Sequence, residues 1–374
     1  MSIGALKYNL LLHLKNIPGP TVNKKLVVFE CDDFGGIRMP STDVFKKLEA
    51  AGTIDTDSRY NQYDTIESKE DLMRLFKVLS SVKDKEGNAA VFSPFVNMVN
   101  PDFDKIKACG YQQYFYEPFT ATYQKYGRES TIMDAWKEGI DKGIFLPQFH
   151  GREHLAVQPW MQYLRDGHTA LLQAFQLGFV SVSNIKGLHP FAAELRPEFY
   201  FTIEKEKEFL HQSIRDGVQL FNDIFGYKPF AFAPGNSLFH PDFEKTVAET
   251  GVRFLNVAHK NPYCTEGGNI RYESFTFKQK IKKQPLNYYI RNCAFEPNDP
   301  AYQNTDIVMT QIAAAFHCNK PAIISTHRVN FAGSLFAANR DKGLKELQLL
   351  LQQILKCWPD AIFAGSKEAL SAFN

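Results

Sequence analysis

The chain has 374 residues, 44% of them hydrophobic and 22% charged, with a formal net charge of +2 at neutral pH. That balance describes an ordinary folded protein with material for a large core, and it excludes a disordered chain. With 43 Lys and Arg against 41 Asp and Glu, and no long run of either sign, it also argues against a nucleic-acid partner.

The N-terminal stretch ALKYNLLLHLKN places Leu6, Leu10, Leu11 and Leu14 on one face of a short helix, expected to dock on the body of the protein rather than on a membrane surface. Lys7, His13 and Lys15 interrupt it, so the pattern of a secretion signal is absent. No apolar run reaches the roughly 20 residues needed to cross a bilayer. Cys31, Cys109, Cys264, Cys293, Cys318 and Cys357 are dispersed without a CxxC pair, which suits reduced thiols. Together these features predict a cytoplasmic protein.

Apolar runs bounded by turn residues then recur: LVVFEC, AAVFSPFV, IFLPQFH, FVSVSN, FAFAPG, FLNVA, NYYIRNC, AIISTH and AIFAG. Helical patterns lie between many of them, among them DVFKKLEAAG, DLMRLFKVLSSVKD, KEKEFLHQSIRDGVQLFNDIF and GLKELQLLLQQILKCW. Strand alternating with helix predicts a parallel sheet covered on both faces. In the third helical pattern Phe209, Ile214, Val218 and Phe221 share a stripe and Gly226 follows as a stop, as on the outer helix of a barrel. One domain over residues 1–374 is the simplest organisation, with an insertion at about 155–197 in which WMQYLRDGHTALLQAF reads as a helix. Aromatic residues make up 14% of the chain. Trp136, Trp160, Tyr163 and the Tyr288–Tyr289 pair are candidates for a sugar-stacking surface, although each reads more simply as core.

Polar residues that could do chemistry stand where buried strands end. In FECDDFGG the strand candidate runs into Asp32 and Asp33, an expensive pair to bury unless something positive is near. Taken alone, one of them could cap the helix beginning near Ser41 or organise the Gly35–Gly36 turn. If the strand continues through both, they point to opposite faces. In FHGREHL, His150 and His154 stand four residues apart, which on a helical turn puts two imidazoles on one face within reach of one metal ion. With a carboxylate they supply the two-His, one-carboxylate set that leaves positions open for water and substrate. AIISTH ends in His327, suited to proton transfer or to a plain structural hydrogen bond. FAFAPGNS breaks at Pro234–Gly235, where the backbone N–H of Gly235 or Asn236 could face an oxyanion.

The ordered set FECDDFG, FHGREH, FAPGNS and AIISTH resembles the polysaccharide deacetylase superfamily, the NodB-homology carbohydrate esterases, over residues 27–327. VVFECDDFGGIRMPS followed by STHRVNF is similar to a cytoplasmic branch associated with bacterial surface-polysaccharide biosynthesis. The resemblance implies a distorted (β/α) barrel of seven strands and a metal-dependent removal of an N-acetyl, or less often O-acetyl, group from a carbohydrate. It implies Asp32 as general base, His327 as general acid, and Asp33, His150 and His154 as ligands to Zn²⁺ or another divalent transition metal. The substrate it implies is a carbohydrate, with a nucleotide or lipid carrier left open. Two family features are missing where they are usually found. Phe230 and Phe232 stand where an arginine precedes the Pro-Gly turn, which leaves Arg38, Arg152 or Arg328 as substitutes, and no acidic partner for His327 is recognisable near FLNVAHKNPYC, where His259 reads as a bystander. The alternatives are a glycoside hydrolase on an irregular barrel, for which adjacent aspartates are a poor pair, and a non-catalytic carbohydrate-binding scaffold.

Overall fold

The computed structural model describes residues 3–281, 284–302 and 305–373. Strands β1 (Leu26–Phe34), β2 (Phe92–Asn97), β3 (Gln148–Gly151), β4 (Ala231–Phe232), β5 (Phe254–Asn256), β6 (Asn287–Tyr289), β7 (Cys293–Ala294) and β8 (Ala322–His327) carry the architecture. Each of β1 to β5 pairs in parallel with its successor, β5 pairs in parallel with β6, β7 with β8, and β8 with β1. Only residues 290–292 separate β6 from β7, so the two are halves of one interrupted stave, one half bordering β5 and the other β8. Counted that way, seven staves in chain order close a distorted (β/α) barrel, as expected. At the interruption the Asn292 side chain takes the place of a ladder rung, accepting from Ile323 N at 2.9 Å and donating to Pro321 O at 3.0 Å.

The strands are short, buried and rich in Val, Ile and Phe, and amphipathic helices cover them. Helix Lys69–Ser81 starts at a reciprocal cap between Ser68 and Asp71 and buries Leu72, Leu75, Phe76 and Leu79 at helical spacing. Helix Glu206–Phe225 buries Leu210, Ile214, Val218 and Phe221 and stops at Gly226, whose φ of 77° suits glycine. Phe209, expected on that stripe, is only partly buried.

Several sequence expectations need correction. WMQYLRDGHTALLQAF is two helices, Val157–Arg165 and Thr169–Gln176, because Gly167 turns at φ 76° and the His168 ring caps the second at Leu171 N. FVSVSN forms no strand: Phe179, Val180 and Val182 are buried, but the backbone there has no β ladder. The N-terminal helix, Ile3–Asn16, does lie against helix Thr305–His317, yet through edge-to-face rings of His13 and His317 and a Gln311-to-Tyr8 hydrogen bond. The Leu6, Leu10, Leu11 and Leu14 face is exposed instead. Trp136, Trp160, Tyr288 and Tyr289 are core residues. All six cysteines are free thiols, and no helix among the described residues is long and apolar enough to cross a membrane.

Candidate active site

The C-terminal ends of the staves surround a cavity of about 620 Å³ lined by Asp32, Asp33, His150, His154, Arg291 and His327, among others. Such convergence is what a parallel barrel offers, since every βα loop leaves from the same rim.

β1 supplies both aspartates by a local distortion. Its pairing with β2 is regular to Cys31–Pro94 and resumes at Phe34–Val96, so Asp32 and Asp33 together face Phe95. That bulge, with Asp33 at φ 75°, re-aims the chain. Both carboxylates therefore line the cavity, which corrects the expectation that they point to opposite faces. The turn beyond is held by Gly35, at φ 73°, where a Cβ would come within 2.4 Å of Asn97 O. Gly35 N donates to Glu67 at 3.0 Å, and Glu67 is fixed by Arg328 at 2.9 Å and Tyr123 at 2.5 Å. Arg328 also forks onto Asp64 and stands outside the cavity lining.

Asp33, His150 and His154 form a three-donor cluster, with His150 Nε2 at 3.6 Å and His154 Nε2 at 3.7 Å from Asp33 Oδ1. The histidines do not share a helix as expected. His150 lies in β3, and the chain turns at Gly151, φ 118°, to bring His154 back from the following loop. Each Nδ1–H donates to a backbone carbonyl, His150 to Ala233 O at 2.7 Å and His154 to Arg196 O at 2.8 Å, which leaves both Nε2 lone pairs directed inward. Burial, and then the nearby Arg196 charge, hold His154 well below the usual histidine pKa and so neutral, the form that can ligate. Burial pushes the Asp33 carboxyl up, but His150 and the positive charge of nearby His327 outweigh it and hold it well below the carboxylate range. A tautomer-fixed pair of imidazoles beside an ionised carboxylate fits a divalent transition metal.

Asp32 belongs to a second constellation. Arg291, at the interruption of the sixth stave, forks onto it with Nη1–Oδ2 at 2.5 Å and Nη2–Oδ1 at 2.8 Å, while its Nε donates to Glu30 at 2.6 Å. Glu30 and Asp32 are two residues apart on β1 and so share a face. Burial disfavours the charged form of Asp32, and Arg291 overcomes that to lower its pKa. The guanidinium on this aspartate is thus Arg291 rather than Arg38, Arg152 or Arg328. Arg152 is occupied by Glu153 at 2.8 Å and Asp216 at 3.2 Å and is absent from the cavity lining.

His327 Nε2 stands 3.9 Å from Asp32 Oδ2, and its Nδ1 is bonded to Glu296 at 2.6 Å. Burial lowers the pKa of this imidazole, but Glu296 and then Asp32 raise it to about 9. Glu296 is itself anchored by Arg59 and Asn330, each at 2.7 Å. The acidic partner sought near FLNVAHKNPYC therefore lies in CAFEPN, after β7. His259 lines the cavity, bonded through Nδ1 to Phe275 O, and is not the orienting group. Asn236, at φ 55°, lines the cavity beside Pro234, and Gly235 lies so near His154 that a Cβ would sit 3.0 Å from its ring. Arg38 and Arg196 line the same cavity. Burial and the Arg38 charge push Arg196 down to about 9.

No family model and no curated protein matches the chain. Among solved structures it is similar to one named as a polysaccharide deacetylase from Mycobacterium smegmatis, at TM-score 0.46 and 11% identity, covering 95% of this chain and 94% of that one. A second so named, from Pseudomonas aeruginosa PAO1, matches at TM-score 0.46 and 10% identity over 93% and 91% of the two chains. A 4-alpha-glucanotransferase from Thermococcus litoralis matches at TM-score 0.45 and 11% identity over 94% of this chain and 41% of that one. Polysaccharide deacetylases recur among these matches. At such identities and TM-scores these matches carry no functional argument, and function is argued from the site.

Proposed function

We infer that the chain is a metal-dependent hydrolase that removes an acetyl group, most simply an N-acetyl group, from a carbohydrate. The observation that carries this reading is the separation of two carboxylate environments at one cavity: Asp33 faces two tautomer-fixed imidazoles, and Asp32 is gripped by Arg291 and faces His327. Asp33, His150 and His154 hold the metal, Zn²⁺ or a similar divalent ion. When bound there, the ion supplies Lewis acidity, which polarises an acyl carbonyl and makes water a better nucleophile at neutral pH.

The chain's own groups do the rest. Asp32, kept ionised by Arg291, accepts the proton of the attacking water. His327, kept protonated by Glu296, gives a proton to the departing amine, so that the C–N bond breaks to a neutral leaving group. The turn at Gly235–Asn236 offers backbone N–H groups to the developing oxyanion. The adjacent aspartates are assigned different partners, which suits this division of labour better than a pair of carboxyls flanking a glycosidic bond.

The test is release of acetate from a panel of N- and O-acetylated sugars, oligosaccharides and nucleotide sugars by purified protein loaded with Zn²⁺. Acetate release that Asp33→Ala abolishes supports the reading. A protein that takes up no divalent metal overturns it.

A further inference from the structure

The cavity holds more buried positive charge than its proton chemistry uses. Arg291 is saturated, with Glu30 and Asp32 taking its donors. Arg38 and Arg196 are not. Both are over nine-tenths buried, at 8% and 6% exposure, and both line the cavity. Arg38 Nε and Nη1 and Arg196 Nε are closed off from solvent and have no hydrogen-bond partner, which leaves the remaining Nη atoms to face the cavity. The carboxylate nearest Arg38 is Asp64, at 3.8 Å, and its oxygens are already claimed by Arg328 at 3.0 and 3.2 Å. Arg196 makes no ion pair within 4 Å among the described residues, although Glu194 is also on the cavity wall. What Arg38 does have is the face of Tyr60, 5.0 Å from its guanidinium carbon, which fixes its plane.

Buried guanidinium donors without acceptors are costly, and two like charges at one cavity add repulsion. A sugar hydroxyl or a water can accept a hydrogen bond but leaves the charge uncompensated. A carboxylate or phosphate does both, and its oxygens match the fork of a guanidinium. The position also matters. Arg196 presents its carbonyl to His154 and its side chain to the cavity, so an anion held here sits beside the Asp33, His150 and His154 cluster.

We propose that Arg38 and Arg196 form an anion subsite, and that the substrate is an acidic carbohydrate whose carboxylate or phosphate group lies close to the acyl group removed. The subsite itself stands on these two arginines. Only its role in substrate choice rests on the hydrolase reading.

Calorimetric titration of the full chain, once loaded with Zn²⁺ and once stripped with EDTA, separates the two claims. The probes are D-glucuronate, inorganic phosphate and D-glucose at low ionic strength. In the stripped protein, glucuronate or phosphate is expected to bind at one saturable site at least 10-fold more tightly than glucose. Arg38→Met and Arg196→Met should each weaken the anion by 10-fold or more and leave glucose unchanged, while Arg74→Met, on an exposed helix face, changes neither. Should a methionine variant fail to fold, the lysine variant at that position keeps the charge without the fork and is expected to show a smaller loss. Tighter glucuronate assigns a carboxylate and tighter phosphate a phosphate ester. Anion binding no tighter than glucose, or insensitive to both arginines, overturns the subsite even if Zn²⁺ binds. Anion binding retained in a chain that refuses Zn²⁺ upholds the subsite and sinks the hydrolase.

Discussion

Arg291 grips both oxygens of Asp32 from 259 residues farther along the chain. The same guanidinium spans Glu30, so one cation compensates two carboxylates buried on one face of β1. Arg291→Met leaves Glu30 with only the hydroxyls of Tyr289 and Ser366 and Asp32 with only the more distant His327, and removing one partner of a buried ion pair costs about 3–5 kcal/mol. Urea denaturation at neutral pH should show that loss. In Arg291→Lys, which keeps the charge but not the fork, the loss should be smaller.

The pair also sets a pH limit. Asp32 is held below its ordinary carboxylate value, so its contribution to stability is present above the unfolded pKa and is lost as pH falls through the lower, folded one. The acid side of the activity profile should accordingly lie below the usual Asp range. Arg291→Lys should move it to higher pH.

The two aspartates should fail differently. If Asp33 ligates as proposed, Asp33→Ala should strip metal, read directly by elemental analysis. Asp32→Asn should retain metal and lose the base, a role typically worth 10²- to 10⁴-fold in rate. Full turnover in Asp32→Asn on a substrate that the parent protein deacetylates is incompatible with the mechanism.

Glu296 should control the alkaline limit. His327 is raised to about 9, so its protonated form persists to that pH, while the stability it contributes is full below the unfolded value of about 6.5 and is lost as pH rises from there through the folded one. In Glu296→Gln the imidazole should titrate nearer the ordinary histidine value of about 6.5, and the alkaline fall in activity should move down with it. A titration of His327 by NMR checks the shift without substrate.

Gly235→Ala is a test of support rather than ligation. Its new Cβ would stand 3.0 Å from His154 Cε1 and Nε2, so the ring must shift. Metal affinity should fall by about 10- to 100-fold although every ligand remains, as for other losses of ligand support.

The sequence announced the polar strand ends more clearly than their geometry. LVVFE, IFLPQF and AIIST are buried apolar runs that each release chemistry-bearing residues at the rim, and the strands stand where those runs predict. What stayed illegible depended on local departures. The bulge and left-handed Asp33 that turn two alternate-facing residues toward one cavity leave no pattern in residue type. Nor does a turn at Gly151 distinguish a strand-plus-loop histidine pair from a helical one. Arg291 and Glu296 were missed because neither adjoins a recognised motif. A signal was there to read: the alternation Glu30, Asp32 on a buried strand demands a cation, and NYYIRNC holds an arginine in the middle of another buried run. Pairing the two needs barrel closure, which joins residues far too distant for any periodicity to register.

The interrupted sixth stave therefore has a consequence for assembly. During synthesis β1 is complete some 260 residues before Arg291 leaves the ribosome, and closing a loop of that length is entropically unfavourable until other contacts share the burden. Until then Glu30 and Asp32 have either water or protons for company, and a half-built barrel can hold them buried only by taking up protons. Docking of residues 287–294 brings Arg291 within reach of both carboxylates, and the ring is closed only when β8 pairs with β1. In order of synthesis, then, the cation that compensates the two carboxylates of the first stave is among the last parts of the barrel wall to arrive.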